Sequence, residues 1–387
     1  MRAKRLYSLD ALRGVGALAI VVWHWQHFYA IGGTWAAGWS RAAEPFYPFL
    51  KPLYEEGWVA VDLFFAVSGF VFFWLYLEPV ARREIGVGTF TRQRFSRLYP
   101  LYLATLLAAA AMQLVFFHGT GSWFIFDAND WGHFVRSLFL VQQWLPPDEL
   151  QSFNGPDWAV SIELLLYIIF FAAVRFGLRG VKGALALALA GAIYFFWDGQ
   201  IGRGIMGFFF GGVTYYAVRR LSSHANAKAI ACCAIAAALA VWTIAVLEVY
   251  LGLIQSLFAQ APAPLAKFFA GHEYPIFLMA FIFVVSPLTL AALALHEEIF
   301  GGAWARLTFL GDISYSTYLI HFPMQLALAL IALRLGWTPA NFQTGFAMAG
   351  FYVVLIALGW LAYARFERPL QALIRGTARK PSLSPVQ

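Results

Sequence analysis

The chain has 387 residues, 61% of them hydrophobic and 12% charged, with a formal net charge of +7, whereas soluble domains carry about 25% charged residues. This excludes an ordinary soluble globule and points to a polytopic membrane protein. Its two cysteines, Cys232 and Cys233, sit side by side in an apolar run, which suits neither a disulfide framework nor a metal site, so redox chemistry is not indicated.

Ten apolar stretches approach the ~20 residues needed to cross a hydrocarbon core. They lie at roughly 9–30, 58–77, 95–117, 158–176, 181–197, 202–218, 229–253, 274–295, 308–333 and 344–365. The first carries charges and lacks a small-residue cleavage site, which predicts a resident helix and not a cleaved signal. Placing the N-terminus in the cytoplasm puts 20 Lys and Arg residues on cytoplasmic connections and six (Arg41, Lys51, Arg136, Arg203, Lys267, Arg334) on the other side. That is a strong positive-inside bias. The expected fold is therefore all-α, a membrane bundle of about ten transmembrane helices with both termini cytoplasmic. Residues 1–375 form one transmembrane domain and 376–387 a short polar cytoplasmic tail.

In chain order, the first span reads LDALRGVGALAIVVWHW. Arg13 and His24 are eleven positions apart, hence about 20° apart around an α-helix and ~16 Å along it, and Asp10 falls within ~40° of the same line. Ionisable groups inside a membrane are costly and face an interior or a water-filled cavity, so the stripe marks a candidate site. The competing reading is a local Asp10–Arg13 pair and a packing contact for His24. The second span, GWVAVDLFFAVSGFVFF, brings Asp62 in from the outer side to the depth of His24. A carboxylate there either orients the imidazole or caps its own helix.

At the mouth of the third span, RQRFSRLYPLY sets Arg94 and Arg97 three apart on one face. Guanidinium forks bind phosphate, although a cytoplasmic basic cluster also serves as a topology signal or anionic-lipid contact. FNGPDWAVSIELLLY places Glu163 about five residues into the fourth span, where a carboxylate orients a base, accepts a sugar hydroxyl or carries a proton. Trp158 and Tyr167 offer an aromatic wall for a sugar ring or belong to an interfacial belt. GDISYSTYLIHFP puts Tyr318 and His321 three apart near mid-membrane, facing either a substrate or a neighbouring helix. No phosphate-binding Gly loop, nucleophile elbow or zinc motif is present in the sequence. Any chemistry must come from dispersed groups.

These segments in this order, closed by FERP near the C-terminus, resemble the bacterial membrane-bound acyltransferase family 3, whose members acylate cell-envelope sugars and related acceptors. The resemblance runs from Leu9 to Pro369. It matches Arg13 and His24 to the family's Arg and His of the first helix, Arg94 and Arg97 to its paired arginines, and Glu163 to its acidic residue. Ala159 and Val160 stand where Ser and Leu are common, and Ala66 replaces a bulkier residue. The esterase-like domain fused to some relatives is not read in this chain, so acyl transfer is expected of the membrane part itself.

The resemblance implies a bacterial inner-membrane O-acyltransferase that binds acyl-CoA, chiefly acetyl-CoA, from the cytoplasm through Arg94 and Arg97, aided by Arg13. His24 would deprotonate a hydroxyl of a carbohydrate or glycan-lipid acceptor at the outer side or form an acyl intermediate, and Asp62 or Glu163 would orient His24 or the sugar. Trp158, Tyr167, Tyr318 and His321 would contact the acceptor. No metal and no nucleic-acid partner are implied. The alternative is a transporter or lipid-linked sugar flippase, since polar groups lining a bundle also suit a translocation path. Arginines at one mouth and a histidine with carboxylates near the other favour the enzyme.

Overall fold

The computed structural model describes residues 5–144 and 151–376, and every regular element among them is helical. The expected polar tail with Arg379 and Lys380, and Arg2 and Lys4 at the other terminus, lie outside the described residues.

Helix α1 (Tyr7–Trp23) tightens into a 3-10 segment at His24–Ala30. Next come α2 (Tyr47–Glu56), a 3-10 turn at Gly57–Val59, and α3 (Ala60–Ala81). They are followed by α4 (Val87–Thr120), the short α5 (Trp131–Leu138), α6 (Trp158–Arg175), α7 (Val181–Tyr194), α8 (Gly199–Ser222) and α9 (Ala227–Leu251). The short helices α10 (Leu253–Ala259), α11 (Ala263–Ala270) and α12 (Glu273–Ala280) lead through a π turn at Phe281–Val285 into α13 (Ser286–Phe300). Helices α14 (Thr308–Leu335) and α15 (Gly345–Ala362) follow, and a π turn at Tyr363–Glu367 leads into α16 (Arg368–Arg375).

All ten apolar stretches fall on helices, and among the described residues seven helical segments are long and apolar enough to cross a membrane. The three that differ have local causes. Helix α1 has 17 residues before its pitch changes, α7 has 14, and the six glycines of α8 with Arg203 dilute its apolar character.

Those glycines are what bring α8 against α3. A Cβ on Gly69 would stand 1.8 Å from the Phe208 carbonyl oxygen, and one on Gly211 would stand 2.1 Å from that of Ala66. Small residues let two membrane helices approach backbone to backbone. Helix α1 meets α14 the same way, with a Cβ on Gly14 2.5 Å from Leu310 and one on Gly311 2.5 Å from Asp10. The start of α1 has no side-chain cap of its own. Glu297 of α13 supplies one, accepting from the backbone N–H of Tyr7 at 3.0 Å and Ser8 at 2.8 Å, which satisfies orphan donors at the positive end of the dipole.

Candidate functional site

The end of α1 is built around His24. Where the helix tightens, its last carbonyls lose their partners, and Gln325 of α14 compensates by donating from Nε2 to the His24 carbonyl at 2.9 Å. The Oε1 of Gln325 lies 3.0 Å from His27 Nδ1. One turn earlier on α14, His321 Nε2 lies 3.0 Å from His24 Nδ1, and His321 Nδ1 lies 2.5 Å from the Tyr318 carbonyl.

This chain of contacts fixes the tautomers. A carbonyl only accepts, so His321 Nδ1 carries its proton and donates; its Nε2 is then an acceptor, and His24 Nδ1 is the donor. His24 is left with an unprotonated Nε2, and the residue lines a cavity of about 1260 Å3 that also reaches Trp58, Trp158 and Arg203. An imidazole with one nitrogen held and a lone pair on the other has the form a general base needs.

Asp62 pairs elsewhere and not with His24. Its carboxylate is fully buried and gripped by Arg203, with Nε donating to Oδ1 at 2.8 Å and Nη2 donating to Oδ2. Arg203, counted among the outer-side charges by sequence, sits in the first turns of α8. Its guanidinium reaches the core between the faces of Trp58 at 5.0 Å and Trp158 at 5.5 Å. Trp158 is thus a wall of the larger cavity.

A second, much smaller cavity of about 50 Å3 is lined by Arg13, Glu163, Tyr315 and Tyr318, among others. Glu163 therefore lies beside Arg13, away from the His24–His321 contact. Its Oε1 accepts from Ser68 Oγ at 3.1 Å and from the Tyr167 hydroxyl. Tyr167 stacks on Phe72 at 4.3 Å and belongs to the arginine end. Tyr318 borders this smaller cavity and donates its hydroxyl to the Pro156 carbonyl. Of the four residues expected against the acceptor, Trp158 alone lines the larger cavity, and His321 contacts His24.

The arginines gather as the i, i+3 spacing predicts. Arg94 is enclosed by the rings of Tyr76 at 4.6 Å, Phe72 at 5.1 Å and Tyr167 at 5.7 Å, and donates to the Tyr76 hydroxyl. Its Nε is buried without a partner. Arg97 and Arg13 act electrostatically on each other and share Glu163 and Asp10 as counter-charges. Arg92 is exposed and takes no part.

Four residues of this arrangement were not singled out from sequence. Glu367, the acid of FERP, is buried at 5% exposure, accepts from Ser316 Oγ and acts on both Arg97 and Arg13. The π turn that carries it inward is a common mark of functional positions. Gln325 and His27 were legible as partners at helical spacing from His321 and His24. Arg203 was hidden by its place at a helix start.

The two cavities have Val61 as a shared wall, and Phe65 of the small one meets Trp158 of the large one at 6.2 Å. Arg13 and the His24 imidazole thus line different cavities, and Arg94 and Arg97 line neither of these two.

Comparison with known proteins places this geometry. Residues 6–365 match the acyltransferase domain of the acyltransferase 3 family. Acyltransferase MdmB from Streptomyces mycarofaciens is 35% identical over 172 residues, 44% of this chain and 39% of that protein. Protein 2 in the picA locus of Rhizobium radiobacter is 30% identical over 196 residues, 48% of this chain and 90% of that protein. Peptidoglycan O-acetyltransferase OatA from Listeria monocytogenes serovar 1/2a is 24% identical over 189 residues, 46% of this chain and 26% of that protein. No solved structure matches. With a family match over nearly its whole length and seven helices of crossing length and apolarity, the chain is a multi-pass membrane protein that belongs to the acyltransferase 3 family.

Proposed function

We propose that this protein is a membrane O-acyltransferase that moves an acyl group, chiefly acetyl, from cytoplasmic acyl-CoA to a hydroxyl of a carbohydrate or glycan-lipid acceptor at the outer side of a bacterial inner membrane. The observation that carries the reading is the Tyr318 carbonyl–His321–His24 chain, which leaves His24 Nε2 unprotonated on a residue lining a large cavity.

In this reading the donor's phosphates meet Arg94 and Arg97, whose planar forks suit them, with the unpartnered Arg94 Nε as one free donor. The pantetheine arm passes Arg13 and then Val61, the wall common to both chambers. His24 Nε2 takes the proton of the acceptor hydroxyl as its oxygen attacks the thioester carbonyl. The C–S bond breaks, and the CoA thiolate leaves as the ester forms. Positive charge on His24 is shared with His321 through the Nδ1–H bond. Glu163 and Glu367 hold Arg13 and Arg97 in place from the opposite side.

The test is purified protein in nanodiscs with acetyl-CoA and an acceptor glycoside. Release of free CoA coupled to ester formation, lost in His24→Ala at equal expression, supports the reading. Retained transfer in His24→Ala removes the base, and acceptor movement across the bilayer without CoA release favours the transporter.

A further inference from the structure

The chamber beside His24 has a chemistry of its own. Its volume of about 1260 Å3 exceeds the 300–1,000 Å3 usual for small-ligand pockets, and it is far larger than one sugar ring requires. The far wall comes from α9 to α12, where Val249, Ile254, Phe258, Phe269 and Phe277 present an apolar surface. Indoles of Trp58 and Trp158 stand nearer the base. The charged groups on the lining are Glu55, Glu56, Glu248 and Glu273 against Lys51 and Arg203, and Arg203 is already neutralised by Asp62.

Three of those carboxylates are anchored where they stand. Glu55 accepts from the Tyr47 hydroxyl at 2.6 Å and is ion-paired with Arg41 at 3.7 Å, Glu56 accepts from the Trp58 indole N–H at 3.1 Å, and Glu248 from the backbone N–H of Ile254 at 2.7 Å and Gln255 at 3.1 Å. Glu56 and Glu248, which form no ion pair among the described residues, would have to break these bonds to move away from a like charge. Weak screening within a partly enclosed chamber raises the cost of bringing one there.

Resting on the transfer reading above, we propose that the acceptor is an amphipathic glycoside: a hydroxylated head presented to His24, an apolar body lying along α9 to α12, and no negative charge. A bare hydrophilic sugar leaves the apolar wall wet, and burying that wall against a hydrocarbon body is the main source of affinity. A uronate or phosphorylated head meets the glutamates.

The experiment uses the full chain in nanodiscs with acetyl-CoA and four sub-micellar probes: octyl glucoside, octyl 2-amino-2-deoxyglucoside, octyl glucuronide and methyl glucoside. Esters are counted by mass spectrometry, and binding without donor is followed by tryptophan fluorescence. The expected result is that the neutral and amino octyl glycosides bind and react at concentrations at least about tenfold lower than methyl glucoside or octyl glucuronide, a gap of ~1.4 kcal/mol. The double variant Glu56→Gln/Glu273→Gln narrows the glucuronide gap and leaves the methyl glucoside gap in place. Equal use of methyl glucoside, equal use of the glucuronide, or no binding of any probe overturns the proposal. Selective binding without ester formation upholds this acceptor class while sinking the transfer reading, and unselective ester formation does the reverse.

Discussion

Replacing His321 by Leu removes the Nε2 that lies 3.0 Å from His24 Nδ1, leaving the Ile20 carbonyl as the other partner of that ring, and keeps an apolar filler at a fully buried position. A buried donor left unpaired costs about 1–3 kcal/mol. Expressed wholly in the transition state, that is about 5- to 150-fold in rate at 1.36 kcal/mol per decade. The alternative route for His24, moving its proton to Nε2, removes that nitrogen's free lone pair and tends toward the full worth of a general base, about 10²- to 10⁴-fold. The expected outcome is a kcat of acetyl transfer lowered about 10- to 100-fold. The KM for acetyl-CoA stays unchanged, because the aromatic cage around Arg94 is untouched.

Three controls separate this from misfolding. His321→Gln keeps an oxygen able to accept from Nδ1 and recovers most of the rate. His24→Ala/His321→Leu is no slower than His24→Ala, since groups that act as a unit are not additive. The thermal midpoint of His321→Leu, followed by intrinsic fluorescence, stays close to that of its parent. A His321→Leu enzyme with unaltered kcat beside an inactive His24→Ala enzyme would falsify the relay, and so would a raised donor KM with normal kcat.

Asp62→Ala strands the Arg203 guanidinium and is expected to destabilise the protein by about 3–5 kcal/mol, whereas Asp62→Leu/Arg203→Leu recovers much of that loss; fluorescence-detected thermal unfolding reads both. Arg94→Lys gives up a planar group seated among four rings and raises the KM for acetyl-CoA about tenfold or more, while an unchanged KM excludes Arg94 from the donor site. In the loop after the first 3-10 segment, burial pushes the Glu44 carboxyl up to about 8, more than Arg41 pulls it down, with Glu55 adding to the rise. The folded state therefore holds this proton more tightly than the unfolded chain does. The associated stability is full below about 4.5, is lost as pH rises to about 8, and changes no further above that. Glu44→Gln flattens this slope in a pH series of thermal midpoints, and an unchanged slope assigns it to other groups.

Element positions were legible in the sequence because apolar runs are long and their period is forgiving. The polar stripe on α1 was legible too, since Arg13 and His24 share a face and both turned out to line interior cavities. Depth along separate helices was less readable. Asp62 and Glu163 were set at the level of His24 by counting residues from span ends, but counting gives no azimuth. One faces Arg203 across the α3–α8 contact, and the other faces Arg13. Positive-inside counting gives Arg203 a side but ignores whether it turns inward, so its pairing with Asp62 was not legible. Glu367 depends on a π turn, which shifts the register of a helix by one residue in a way no apolar period signals.

The separation of chambers carries weight of its own in the proposed transfer. A thioester held in an open channel between two aqueous faces would lose its acyl group to water. Here the boundary is apolar, with Val61 shared between the chambers and Phe65 set edge-on to Trp158. Water gains little by entering such a gap, because it finds no partners there. A pantetheine arm wedged past Val61 brings its own apolar surface and replaces the side-chain contacts it displaces. The arginines then act at a distance from the chemistry: their phosphate contacts supply the binding free energy that opens the boundary. Truncated donors, with the thioester and arm but no nucleotide phosphates, should accordingly lose kcat as well as affinity. If an acetyl-pantetheine reached full kcat merely at higher concentration, the boundary would open without help from the arginines, and their role would reduce to holding the donor.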